Sequence, residues 1–210
     1  NSSSGTMVIL DGNAGLLILN PGSETLNRYR KLQREYSRFE NNLSRIRMLP
    51  ARTKDGKEIE LSANIEFFDE IKSVLEAGAR GVGLYRTEYL YLMGEGLPTE
   101  EAQTEEYSRI IKALKGNPLT VRTFDIGGDK AQKYFSIPHE ANPFLGFRGV
   151  RLYQRNEEVF LTQVRAVLRA RVHGPVRIMF PMIAAVAEVR YCNAIGDHAR
   201  KKLTQEGVTF

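Results

Sequence analysis

From Asp55-Gly56 onward the chain alternates short apolar runs with amphipathic stretches of helical period, and few folds accept that rhythm. Strands are expected over residues 59–65, 81–86, 119–125 and 176–182, with helices over 67–77, 99–114, 159–172 and 186–203. Thr99 stands where a helix cap is wanted, ahead of acidic residues, and Tyr107, Ile110, Ile111 and Leu114 fall on one face of the helix that follows. Val164, Val167 and Leu168 do the same for the next helix. A loop rich in Gly, Pro and Asn covers residues 126–149. Strand-helix alternation with short connections implies parallel strands joined by right-handed crossovers. Four such units take about 150 residues, whereas a closed (β/α)8 barrel takes ~250. The α/β pattern therefore fits either a small open sheet or the first half of a barrel.

The upstream part reads differently. Residues 7–10 and 15–19 are apolar runs around Asp11-Gly12-Asn13-Ala14, the pattern of a β-hairpin. Pro21-Gly22 ends it, and Ser23 is placed to cap a helix. Tyr29, Leu32, Tyr36, Phe39, Leu43 and Ile46 are then spaced 3, 4, 3, 4, 3, a narrow seam on a long helix ending near Pro50. Between Pro21 and Lys57 there are ten Lys/Arg against four Asp/Glu, so this stretch carries +6 of the chain's net +5 and the remainder −1. No recognition motif or aromatic interleaving accompanies the basic residues. A connecting helix docked on another helix explains them better than nucleic-acid binding.

Composition excludes several classes. Hydrophobic residues at 42% and charged ones at 26% support a sizeable core. No apolar run approaches the ~20 residues of a membrane span, and the N-terminus lacks the charged-then-apolar order of a signal peptide. The single cysteine, Cys192, allows neither an internal disulfide nor a CxxC zinc site, so a cytoplasmic address is expected. His139, His173 and His198 show no metal-ligand spacing, and there is no GxSxG elbow. Cys192 reads as a packed, inert thiol.

Three arginines stand out. Arg86 closes a strand, Arg122 lies in Leu-Thr-Val-Arg-Thr-Phe-Asp, and Arg148 follows Asn-Pro-Phe-Leu-Gly-Phe. An arginine at the carboxyl end of an apolar parallel strand is costly to bury unpaired. Its planar fork suits carboxylate or phosphate oxygens, so Arg86 and Arg122 can make an anion cradle. Equally, each can pair with Glu88, Asp125 or Asp129 in a structural network. Asp125-Ile126-Gly127-Gly128-Asp129-Lys130 adds glycines that admit close backbone approach and a lysine charge, although it lacks the spacing of a Walker loop.

Taken together, Gly83-Leu84-Tyr85-Arg86-Thr87-Glu88-Tyr89-Leu90, Val121-Arg122-Thr123-Phe124-Asp125-Ile126-Gly127-Gly128-Asp129-Lys130, Asn142-Pro143-Phe144-Leu145-Gly146-Phe147-Arg148 and Arg177-Ile178-Met179-Phe180-Pro181-Met182 resemble the enzyme I family. These are the phosphoenolpyruvate–protein phosphotransferases of the bacterial sugar phosphotransferase system. The four blocks keep the family's order, and the resemblance runs from about Val8 to the C-terminus. It implies a phosphoryl group taken from phosphoenolpyruvate onto a histidine of a swivelling domain and passed to the carrier HPr. The substrate would lie at the mouth of a (β/α)8 barrel with a magnesium ion. The family's phosphate-binding arginines fall on Arg86 and Arg122, a further substrate-site arginine on Arg148, the nearby lysine on Lys130, and a mouth-lining residue on Asn64.

The same resemblance sets expected domains: residues 1–22 as the last hairpin of the swivelling domain, 23–57 as linker helix and connection, and 58–210 as the first half of the barrel. The phosphoaccepting histidine, the acidic magnesium ligands, a fourth arginine and the family's cysteine acid have no counterparts here, and Cys192 is not that cysteine. No catalytic or metal-ligating residue is therefore expected in this chain, which should be inactive alone, with HPr contact and homodimer formation belonging to the full enzyme. Pyruvate phosphate dikinase and phosphoenolpyruvate synthase share the arginine-bearing barrel and are the nearest alternatives. The nitrogen-related paralogue and a non-catalytic regulatory module remain as others.

Overall fold

A computed structural model describes residues 4–94, 96–127, 134–135 and 141–210. The chain forms two units, Asn1–Pro50 and Ala51–Phe210.

In the first unit β1 (Val8–Asp11) and β2 (Leu16–Leu19) pair antiparallel, with Ile9 opposite Ile18. The Asp11 carboxylate closes the turn by accepting the Asn13 and Ala14 N–H groups at 3.1 and 2.9 Å. Helix α1 (Ser23–Ile46) follows. Its cap is Gly22, without a side-chain hydrogen bond, and Ser23 is already helical, a correction to the capping role expected of that serine. The seam residues Leu32, Tyr36, Phe39, Leu43 and Ile46 are exposed.

The second unit carries a parallel sheet of four strands in sequential order: β3 (Ala63–Ile65), β4 (Val82–Arg86), β5 (Leu119–Arg122) and β6 (Val176–Met179). This is the topology of a partial (β/α) barrel, with β3 and β6 at its edges. Between the strands run α2 (Ile71–Glu76), α3 (Glu88–Leu92), α4 (Glu100–Ala113), α5 (Val150–Tyr153) and α6 (Glu157–Ala170), and α7 (Val186–Gln205) comes last. Thr99 does cap α4, its hydroxyl accepting the Ala102 N–H.

Alternation along the strands decides where the core sits. Val82 and Tyr85 of β4 and Leu119 and Val121 of β5 are buried with Tyr107, Ile110 and Leu114 of the α4 segment and Ala166 and Val167 of α6. A second cluster joins α5, α6 and α7 through Phe124, Tyr153, Phe160, Leu161, Cys192 and Leu203. Arg122, between buried Val121 and Thr123, takes the opposite parity. In β4 a register shift between Val82 and Tyr85 gives Arg86 the same treatment, and Arg86 pairs in register with Arg122. Two guanidinium groups are thus set side by side at the carboxyl end of the sheet.

Candidate anion-binding site

Like charges on adjacent strands repel, so an in-register arginine pair needs anions nearby. The fold supplies them from the segments that follow the strands. Arg122 Nη2 donates to Glu88 Oε1 at 2.7 Å, and its Nη1 lies 3.7 Å from Asp125 Oδ2. Arg148 grips Asp125 with its fork, Nε to Oδ1 at 2.8 Å and Nη2 to Oδ2 at 3.0 Å. That hydrogen-bonded carboxylate raises the already high pKa of Arg148, outweighing partial burial. Glu88 Oε1 also accepts the Asp125 N–H at 2.9 Å, which ties the two carboxylate-bearing segments together.

Arg86 is different: among the described residues it has no hydrogen bond or ion pair, and it is exposed. A cavity of 660 Å³ opens beside it, lined by Arg86, Arg122 and Arg148 together with Glu66, Glu88, Asp125, Leu92, Ile126, Gly127, Pro143 and Phe144. Among the described residues three arginines face three carboxylates, so net charge alone does not select an anion. Depth does. The Asp125 and Glu88 side chains are 7% and 14% exposed, against 19% and 21% for Arg122 and Arg148. Glu88 and Asp125 are the more deeply set groups, and the guanidinium groups are nearer the solvent.

Local structure holds Arg148 in place. The Arg151 guanidinium donates to the Leu145 and Gly146 carbonyls, both at 2.6 Å, and pins the loop ahead of it. Gly149 then turns the chain into α5 with φ +55°, where a Cβ would stand 3.0 Å from the Met182 side chain. Gly127 also passes close: a Cβ there would lie 3.1 Å from Arg148 Cβ.

Of the residues singled out from sequence, Arg86, Arg122 and Arg148 line the same cavity. Asn64 is exposed on β3, paired in register with Leu84, and is not among the residues lining that cavity. Lys130, with Gly128, Asp129 and His139, lies outside the described residues. His173 and His198 are exposed. Cys192 is buried in α7, and burial pushes its thiol up to about 11, so it stays protonated at neutral pH. Sequence reasoning treated Glu88 and Asp125 only as possible ion-pair partners, and it passed over Glu66, Thr87 and Gln163 altogether. A signal for Gln163 exists. It falls three residues after Phe160 and four before Val167, on the buried stripe of α6, where a polar residue needs a reason.

Residues 40–210 match the family described as PEP-utilising enzyme, PEP-binding domain. The chain is 46% identical over 205 residues to the phosphoenolpyruvate-protein phosphotransferase of Priestia megaterium, covering 98% of this chain. It is 43% identical over 204 residues to the protein of that name in Bacillus subtilis (strain 168), and 41% identical over 204 to that of Staphylococcus carnosus (strain TM300), covering 97% of this chain each time. It spans 36% of the length of each of these curated relatives. The parallel sheet, the arginines at its carboxyl end and the family match agree: this chain belongs to the PEP-binding domain family of PEP-utilising enzymes.

Proposed function

We propose that this chain binds phosphoenolpyruvate in the arginine-lined cavity, as the substrate-binding part of a phosphoenolpyruvate–protein phosphotransferase. The observation that carries the reading is Arg86, exposed and without a partner among the described residues, beside two arginines already oriented by deeper carboxylates. Phosphoryl transfer asks little covalent work of a protein. It asks for positioning and for charge on the phosphoryl oxygens, and planar guanidinium forks provide both. In this reading Arg86 meets the phosphoryl oxygens first. Arg122 has a buried Nε with no acceptor among the described residues. An unsatisfied buried donor costs about 1–3 kcal/mol, which a small shift of this side chain onto an anion would relieve. Arg148, Asn64 and Lys130 complete the substrate-binding set proposed from the resemblance.

The rest of the reading concerns the longer protein: transfer to a histidine of a swivelling domain, delivery to HPr, homodimer formation and a cytoplasmic setting. No helix among the described residues is long and apolar enough to cross a membrane. Magnesium is the metal the resemblance implies. Among the described residues no three His, Cys, Asp or Glu side chains converge on a point, and Glu88 and Asp125 are engaged by arginines. The described residues do not make a metal centre, and no step of this reading passes through one.

The test is calorimetric titration of phosphoenolpyruvate into this chain and into its Arg86→Ala variant. Uptake by the parent that falls by about 10- to 100-fold in the variant is expected, since hydrogen bonds to charged groups contribute about 1.5–3 kcal/mol. Equal affinity in the two proteins would remove Arg86 from the site and the reading with it.

A further inference from the structure

The ladder between β4 and β5 ends at Arg86 and Arg122. Beyond that pair the two strands no longer bond to each other, at the very point where the arginines and their carboxylates must be held in register. What joins them there is a set of buried side chains. Thr87, between Arg86 and Glu88, is fully buried, and its hydroxyl donates to the Arg122 carbonyl at 2.9 Å. The Gln163 amide, fully buried on α6, donates to Thr87 Oγ1 at 3.1 Å and to the Tyr107 hydroxyl at 3.1 Å. Its carbonyl accepts the Phe124 N–H at 2.9 Å, one residue before Asp125. Tyr107 passes the chain on to Gln103 Oε1 at 3.0 Å, and the Gln103 amide ends on the Pro98 carbonyl at 3.2 Å.

A buried amide is costly unless every polar atom is met, and a fully met network fixes a single arrangement. Here both ends of the Gln163 amide are used. Three of the groups this node reaches, the Thr87 hydroxyl, the Arg122 carbonyl and the Phe124 N–H, flank or belong to the residues that line the cavity.

We propose that Gln163 is a positioning residue of the arginine cradle: with Thr87 it sets the spacing between Arg86 at the end of β4 and Arg122 with Asp125 at the end of β5. It touches no ligand itself and acts through the backbone of the residues that do. This inference rests on the phosphoenolpyruvate reading for its consequence, and on the hydrogen-bond network alone for its geometry.

The test compares the chain with Gln163→Leu, Thr87→Val, Gln163→Glu and, as a control, the core truncation Leu203→Ala in α7. Phosphoenolpyruvate affinity is measured by calorimetry well below each melting temperature. Amide hydrogen exchange is followed in residues 86–88 and 122–125. Gln163→Leu and Thr87→Val are expected to weaken binding by about 10-fold, the order of one lost hydrogen bond to a charged group, and to quicken exchange in those two segments. Gln163→Glu, which keeps an acceptor for the Phe124 N–H, should fall between. Leu203→Ala should lower the melting temperature and leave both readouts near the parent's. If the control loses as much as the others, or Gln163→Leu and Thr87→Val behave as the parent, the proposal is overturned. If the parent itself does not take up phosphoenolpyruvate, the substrate reading fails and the exchange arm decides. Faster exchange confined to the two segments upholds the positioning role, and uniform or unchanged exchange sinks it.

Discussion

At the scale of single residues, the cradle is a problem of like charges solved by carboxylates from elsewhere in the chain. Arg148 holds Asp125 through two guanidinium nitrogens, so a lysine there would keep the charge and lose the fork. Hydrogen bonds to charged groups contribute about 1.5–3 kcal/mol, and Arg148→Lys is expected to weaken phosphoenolpyruvate binding by roughly ten-fold or more on that scale. Titration of the variant checks it, and parental affinity would show that the fork does not matter. Gly127→Ala tests the same contact from the other side. Its methyl group would press on Arg148 Cβ and displace that side chain from Asp125. Weaker binding, with a melting temperature within a few degrees of the parent's, is the expected outcome. The arginines were legible in the sequence because an arginine closing an apolar strand demands a partner. Which one has no partner among the described residues was not. The partner of Arg122 lies 34 residues earlier, and only the fold brings Glu88 to it.

Among the elements, those with strong local signals were read closely. Helix α4 begins just after its Thr99 cap, and Thr99→Ala should cost about 1 kcal/mol, measurable by denaturant unfolding; no loss of stability would mean that the cap is replaced by water or a neighbour. Helices α3 and α5 escaped notice because each is a single short turn set by tertiary contacts, and β3 to β6 proved shorter than their apolar runs. The start of α7 carries a pH dependence. Glu188 accepts the Ala184 and Ala185 N–H groups at 2.7 and 2.9 Å, and these hold its carboxyl below the usual carboxylate range. A depressed carboxylate contributes stability above its unfolded value, near 4.5, and loses it as pH falls through the folded value. The melting temperature of Glu188→Gln should therefore lie below the parent's at about pH 6 and approach it as the pH is lowered below 4.5. A gap that does not change with pH would overturn that account.

On the scale of the whole molecule, strand-helix rhythm settled the class of fold, since parallel strands with helical crossovers leave little freedom of order. The distribution of the core was not visible in that rhythm. The apolar seam of α1 has as regular a spacing as any helix in the chain, yet none of its residues is buried, and among the described residues the buried hydrophobic ones lie between Ile65 and Leu203. Burial, not periodicity, is what stabilises a fold, at about 25 cal/mol for each square ångström of apolar surface removed from water. Cooperative unfolding should accordingly be governed by the second unit. Residues 51–210 expressed alone are expected to melt within a few degrees of the full chain, because a difference of 1 kcal/mol moves a domain of this size by about 2–4 °C. They should also bind phosphoenolpyruvate with the affinity of the full chain, since every described residue lining the cavity belongs to that unit. Calorimetric melting and titration of the two proteins side by side decide the matter. A large fall in melting temperature would mean that the hairpin and α1 contribute to the core after all. An unchanged melting temperature with binding lost would place part of the cradle upstream of residue 51.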